Sequence, residues 1–107
     1  MNMAIELNEN NFDEIVLKSE QPAMVDFWAV WCAPCRALAP YVEQIASEFE
    51  GRAVVGKVDI EQSPEIANRY GIRNIPTILF FKGGAMVNKH VGLTSKAALA
   101  NMLKALL

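Results

Sequence analysis

Cysteine and histidine are nearly missing from this chain of 107 residues: Cys32, Cys35 and His90 are its whole supply. A structural zinc site takes four ligands, so this inventory argues against a bound metal. Clusters of Lys and Arg are missing too. A net charge of −2 and a pI near 5.3 leave no basic stripe to neutralise phosphates, which argues against a nucleic-acid partner. No apolar run approaches the roughly 20 residues of a membrane span. The opening stretch MNMAIELNEN carries Glu6 and Glu9, has no basic residue before Lys18 and lacks the apolar centre of a signal peptide. No repeat, low-complexity tract or Pro/Gly/Ser-rich linker divides the chain. The expectation is a soluble, cytoplasmic, monomeric protein with one domain over residues 1–107.

What is present suits a compact core. Hydrophobic residues make up 52% of the chain and charged residues 21%. A domain of this length buries roughly 60 to 70% of its unfolded surface without help from disulfides or metals. The two cysteines are therefore free for chemistry.

The pattern of apolar residues predicts the order β-α-β-α-β-α-β-β-α. Met3 to Leu7 reads as a short strand. Asn8 or Asn11 then caps a helix through FDEIVLKS, with Phe12, Ile15 and Val16 on one face. MVDFW is a buried strand broken by Asp26. After Pro34, apolar residues at Cys35, Leu38, Val42, Ile45, Ala46 and Phe49 keep a helical period, and Gly51 stops that helix. RAVVGKVDI is a β-branched strand. Ser63 and Pro64 start a short helix that ends near Gly71. TILFF and AMVNKHV form a hairpin about Lys82-Gly83-Gly84. Thr94 or Ser95 caps a last helix whose buried stripe is Leu99, Met102, Leu103, Leu106 and Leu107. Early strand–helix alternation implies parallel crossovers and the late hairpin an antiparallel pair, so the class is α/β with a mixed sheet flanked by helices.

The chemistry concentrates in VDFWAVWCAPCRALAP, where Cys32 and Cys35 are separated by Ala33 and Pro34. With Pro34 in a first helical turn, the Cys32 sulfur lies at a helix N-terminus. Unpaired N–H groups and the helix dipole there favour thiolate over thiol. Cys35, one turn further in, is shielded and attacks only when the first sulfur has entered a disulfide. On this reading Cys32 is the nucleophile and Cys35 the resolving thiol. The plainer alternative is a stabilising disulfide, but so short a loop contributes only roughly 2 kcal/mol and stays open in a reducing compartment.

This segment resembles the active site of the thioredoxin family, W-C-G-P-C-K within D-F-W-A-x-W. The likeness extends over nearly the whole chain, through Phe12, Asp26, Phe27, Trp28, Ala29, Trp31, Pro40, Lys57, Asp59, Tyr70-Gly71-Ile72, Ile75-Pro76-Thr77, Phe81-Lys82, Gly84 and Val91-Gly92. It implies a thioredoxin fold with a mixed sheet of about five strands and four flanking helices. It also implies reduction of protein disulfides by dithiol–disulfide exchange, with no cofactor, and re-reduction by a thioredoxin reductase. In that family Asp26 is buried behind the dithiol and relays a proton to or from Cys35, with Lys57 as a charge partner. From the strand pattern alone Asp26 could equally be a surface charge, and a strand lysine such as Lys57 is usually exposed. The resemblance further implies a cis Ile75–Pro76 bond and a target-docking patch of Trp31, Ile75, Pro76, Val91 and Gly92, with the Ile75 backbone pairing to an extended target. Ile75 and Val91 read as plain core residues otherwise. Trp28 is expected to pack beneath the site, and His90 to be an exposed strand residue without a role.

Two departures touch the site, and two more, Val30 and Asn74, lie near its rim, where they bear on partner preference rather than reaction type. Ala33 stands where the family usually has glycine, and Arg36 where lysine is common. Neither removes chemistry, but a methyl group between the sulfurs bears on the reduction potential. An oxidase or isomerase commonly carries histidine before the second cysteine; Pro34 there favours a reductase. A binding subunit without turnover is the alternative from another class, and retention of both cysteines argues against it.

Overall fold

The computed structural model describes residues 3–107. Five strands form one open sheet in the order β1-β3-β2-β4-β5: β1 (Ile5–Leu7), β2 (Ala23–Trp28), β3 (Val54–Asp59), β4 (Thr77–Lys82) and β5 (Ala85–Val91). β1 and β2 both pair with β3 in parallel, while β4 runs antiparallel to β2 and to β5. The thioredoxin-like α/β architecture read from the sequence is the one observed.

Helices α1 (Ala33–Glu48) and α3 (Lys96–Lys104) cover one face, and α2 (Pro64–Arg69) covers the other. In place of the first predicted α-helix there is a single wide turn, Asp13–Leu17, in which the Lys18 N–H donates to the Asp13 carbonyl five residues back, at 3.0 Å. Three α-helices and this turn therefore stand where four helices were expected. Asn8 and Asn11 cap no helix there; their side chains close the preceding loop, Asn8 Oδ1 accepting from the Asn10 N–H at 2.8 Å and Asn11 Oδ1 from the Asn8 N–H at 2.8 Å. The last helix is capped by Ser95, whose side chain accepts from the Ala98 N–H at 3.0 Å. Its chain stops being helical after Lys104, so Leu107 leaves the predicted stripe and is exposed, while Leu99 and Leu103 are buried.

Alternation along β2 divides the core in two. Met24 faces α1 and α3 with Val55, Ile78 and Phe80, against Leu38, Val42, Ile45, Leu99 and Leu103. Val25 and Phe27 face the other way, toward Phe12, Val16, Val58, Ile66, Leu79 and Phe81. Rings of Phe12, Tyr70 and Phe81 meet there at centroid distances of 5.4–5.9 Å, in tilted and edge-to-face arrangements. The β4–β5 hairpin closes in two residues, Gly83 and Gly84, both at positive φ (63° and 82°). That geometry suits glycine and matches the twist of the strands it joins.

Candidate active site

β2 ends at Trp28 and only four residues separate it from the start of α1 at Ala33, so whatever caps α1 lies at the carboxyl end of a central strand. Cys32 is that cap. Its backbone is extended (φ −91°, ψ 108°) and its Sγ accepts the Cys35 N–H at 3.2 Å. Pro34 occupies the first turn, where a missing N–H costs nothing. Cys32 and Cys35 are joined as a disulfide, with Cα atoms 5.2 Å apart.

Exposure does not separate the two cysteines as sharply as the sequence suggests, since Cys32 is 5% exposed and Cys35 2%. The reason is packing: Ala29, Trp28, Ile60 and Ile75 crowd the bonded pair. What separates them is position, Cys32 accepting at the helix start and Cys35 lying inside the helix.

Asp26 occupies the α1 side of β2, next to Lys57 in the β3 register and Ile78 in the β4 register. It is buried, and its Oδ1 has no hydrogen-bond partner among the described residues. Burial pushes the carboxyl from 3.8 up to about 7; the Lys57 ammonium pulls against that rise and Glu43 adds to it. Lys57 makes its ion pair with Glu43, at 3.4 Å, and no contact with Asp26 within salt-bridge distance. Asp26, Trp28, Cys35, Arg36, Glu43 and Lys57 line one pocket of 210 Å³. The structure thus joins Asp26 to the inner cysteine through a shared space.

Around the disulfide the predicted docking residues fall into two groups. Trp31 is 61% exposed and Val91 48%, whereas Ile75 is half-buried and Pro76 buried. The Trp31 indole N–H donates to Glu61 at 2.7 Å and the Arg36 guanidinium to the Val30 carbonyl at 2.7 Å, which fixes the rim. The Ile75–Pro76 bond is cis, and the Gly92 N–H donates to the Pro76 carbonyl at 2.8 Å, bringing the start of the last loop against that segment. Ala33 is exposed between the sulfurs. Val30, a rim position in the sequence reading, is 59% exposed, and Leu93, exposed by 57%, adds an apolar residue that the sequence did not single out. Glu43 was missed as well. His90 differs from expectation: it is half-buried, with Nε2 enclosed and unpartnered among the described residues, because it lies in the same cross-sheet row as Ile78 and Asp26.

A disulfide spanning two residues, capping a helix and bordering a solvent-connected pocket, defines a thiol–disulfide oxidoreductase whose pair cycles between disulfide and dithiol. The comparison with known proteins gives the family: the Thioredoxin family model matches residues 3–105, and the chain belongs to that family. It is 44% identical to Thioredoxin 1 of Nostoc sp. over 104 residues, 97% of each chain. Thioredoxin of Synechocystis sp. is 44% identical over the same length, again 97% of each chain. Thioredoxin of Rickettsia bellii is 46% identical over 97 residues, 91% of this chain and 92% of its own. Among the described residues no helix is long and apolar enough to cross a membrane.

Proposed function

We propose that the protein is a reductase of protein disulfides, with Cys32 as nucleophile, Cys35 as resolving thiol and Asp26 as proton carrier. The observation that supports it most is the Cys35 N–H aimed at Cys32 Sγ, 3.2 Å away. In the reduced protein that donor and the positive end of α1 favour a thiolate at Cys32. The thiolate attacks one sulfur of a target disulfide, forming a mixed disulfide and releasing the other target sulfur as a thiolate. Asp26 then takes the Cys35 proton, directly or through water in their shared pocket, and the Cys35 thiolate attacks Cys32 Sγ. The second target sulfur leaves, two electrons have passed to the target, and the Cys32–Cys35 bond is restored. The sulfurs carry both electrons, so no cofactor takes part.

Trp31, Val91 and the half-buried Ile75, beside Pro76 and Gly92, offer an apolar surface to an extended target segment. Trp28 and Lys57 support the site from beneath. A thioredoxin reductase returns the disulfide to the dithiol between turnovers.

Single-cysteine variants test the roles. Cys32→Ser should abolish reduction of insulin disulfides, whereas Cys35→Ser should accumulate stable mixed disulfides with the substrate. Faster alkylation of Cys35 than of Cys32 by iodoacetamide in the reduced protein would reverse the assignment.

A further inference from the structure

Asp26 and Lys57 stand directly opposite each other on parallel strands, with side chains on one face of the sheet. Opposite charges so placed ordinarily pair across strands. Here they do not. The Lys57 ammonium turns instead to Glu43 on α1, Nζ to Oε2 at 3.4 Å, while Asp26 Oδ1 stays enclosed and unpartnered among the described residues. The other Glu43 oxygen, Oε1, accepts the Ala4 N–H at 2.7 Å. Both carboxylate oxygens are therefore engaged, one by backbone just ahead of β1 and one by the lysine. The pair is mostly covered, with side chains 27% and 29% exposed, where screening by solvent is weaker than on an open surface.

We infer that Glu43 is a positioning residue for thiol–disulfide exchange: anchored on Ala4, it holds the Lys57 ammonium off Asp26 and leaves the Asp26 carboxyl free to exchange protons in the pocket it shares with Cys35. The inference rests on the reading of Asp26 as proton carrier.

The surroundings of Asp26 leave few other candidates for this control. α1 contributes Cys35, Arg36 and Glu43 to the pocket, and the Arg36 guanidinium is engaged by the Val30 carbonyl. β3 contributes Lys57; β4 contributes uncharged Ile78; β5 contributes His90, one strand further along the same row. Lys57 is thus the cation whose direction matters. A cation drawn onto Asp26 would favour its charged form and make it a weaker base for the Cys35 thiol. Glu43 acts in the opposite sense twice, by its own charge and by occupying the ammonium.

The test is a set of variants in the full chain, read by carbon NMR titration of the Asp26 carboxyl in the oxidised protein and by the pH profile of insulin reduction. Glu43→Gln keeps an acceptor for Ala4 and removes the charge. Its Asp26 midpoint should move to lower pH, and the acid limb of the rate profile should move with it. Glu43→Asp, which restores the charge, should return both toward the parent. In a Lys57→Met background, Glu43→Gln should shift Asp26 by less than it does with Lys57 present, since no ammonium is left to release. An unchanged midpoint in Glu43→Gln, or an equal shift in the two backgrounds, would overturn the inference. Asp26→Asn separates the two claims: if its rate profile matches the parent, the proton-carrier reading fails, whereas the NMR titrations still report whether Glu43 directs Lys57.

Discussion

The two sides of β2 are built to different ends. On one side Val25 and Phe27 lie in a cluster of apolar and aromatic residues, from Phe12 to Phe81, with the Arg69 guanidinium resting over the Phe12 and Tyr70 rings at its edge. On the other, one residue along the same strand, a carboxyl sits buried with one oxygen unpartnered among the described residues, beside a mostly covered ion pair and a disulfide. The first side gains stability from burial; the second gives some of it up by burying a carboxyl whose Oδ1 has no partner among the described residues. Neutral pH lies where this acid can both accept and release a proton, because burial lifts it to about 7.

The largest effect that would sharpen this contrast belongs to the apolar side. Phe27 is fully buried, and Phe27→Ala should cost about 3–5 kcal/mol in denaturant melts, through lost transfer energy and the cavity left behind. The pH profile of insulin reduction by the protein that remains folded should not move. A moved profile would mean that the two sides are coupled through the sheet.

Asp26→Asn should do the reverse, stabilising the fold while slowing exchange. The folded acid is raised from 3.8 to about 7, so between these values the folded state holds a proton that the unfolded chain has lost, and stability falls as pH rises. Replacement by a neutral amide removes that loss. The gain should reach about 4 kcal/mol above pH 7 and vanish near pH 4. Melts at pH 8 and pH 4 check it; equal gains at both would mean that Asp26 titrates in the folded protein as it does in the open chain.

How legible each side was from sequence differs for a physical reason. The α1 stripe from Cys35 to Phe49 holds its period for four turns, and Gly83-Gly84 leaves little choice but a tight hairpin, so both could be read locally. The turn at Asp13–Leu17 is too short for Phe12, Ile15 and Val16 to distinguish an α-helix from a wider turn. Cys32 at a helix start was readable because Pro34 marks the first turn. Glu43 was not: between buried Val42 and exposed Gln44 it looks like a solvated helix position. Its tie to Lys57 and Ala4 depends on how α1 lies across β1 and β3, which no local pattern carries. His90 misled for the same reason, since enclosure of its ring depends on the row it shares with Ile78.

The smallest effect tests how the apolar side is closed at its edge. Gly83 and Gly84 both have positive φ, where an added Cβ costs about 1–2 kcal/mol whatever the space around it. Their surroundings differ. A Cβ on Gly83 would meet nothing within 4 Å, whereas one on Gly84 would lie 2.9 Å from the Leu17 carbonyl oxygen, at the end of the wide turn that carries Val16 into the core. Gly83→Ala should therefore cost about 1 kcal/mol, and Gly84→Ala about 1 kcal/mol more, because the hairpin and the turn must separate. The difference between the two melts isolates that contact from the backbone term they share. Neither substitution should alter the pH profile of exchange, since both lie in the β4–β5 turn beside the start of β2, whereas the disulfide follows its end. Equal losses would mean that the turn yields freely and that the apolar side is held by its aromatic cluster alone.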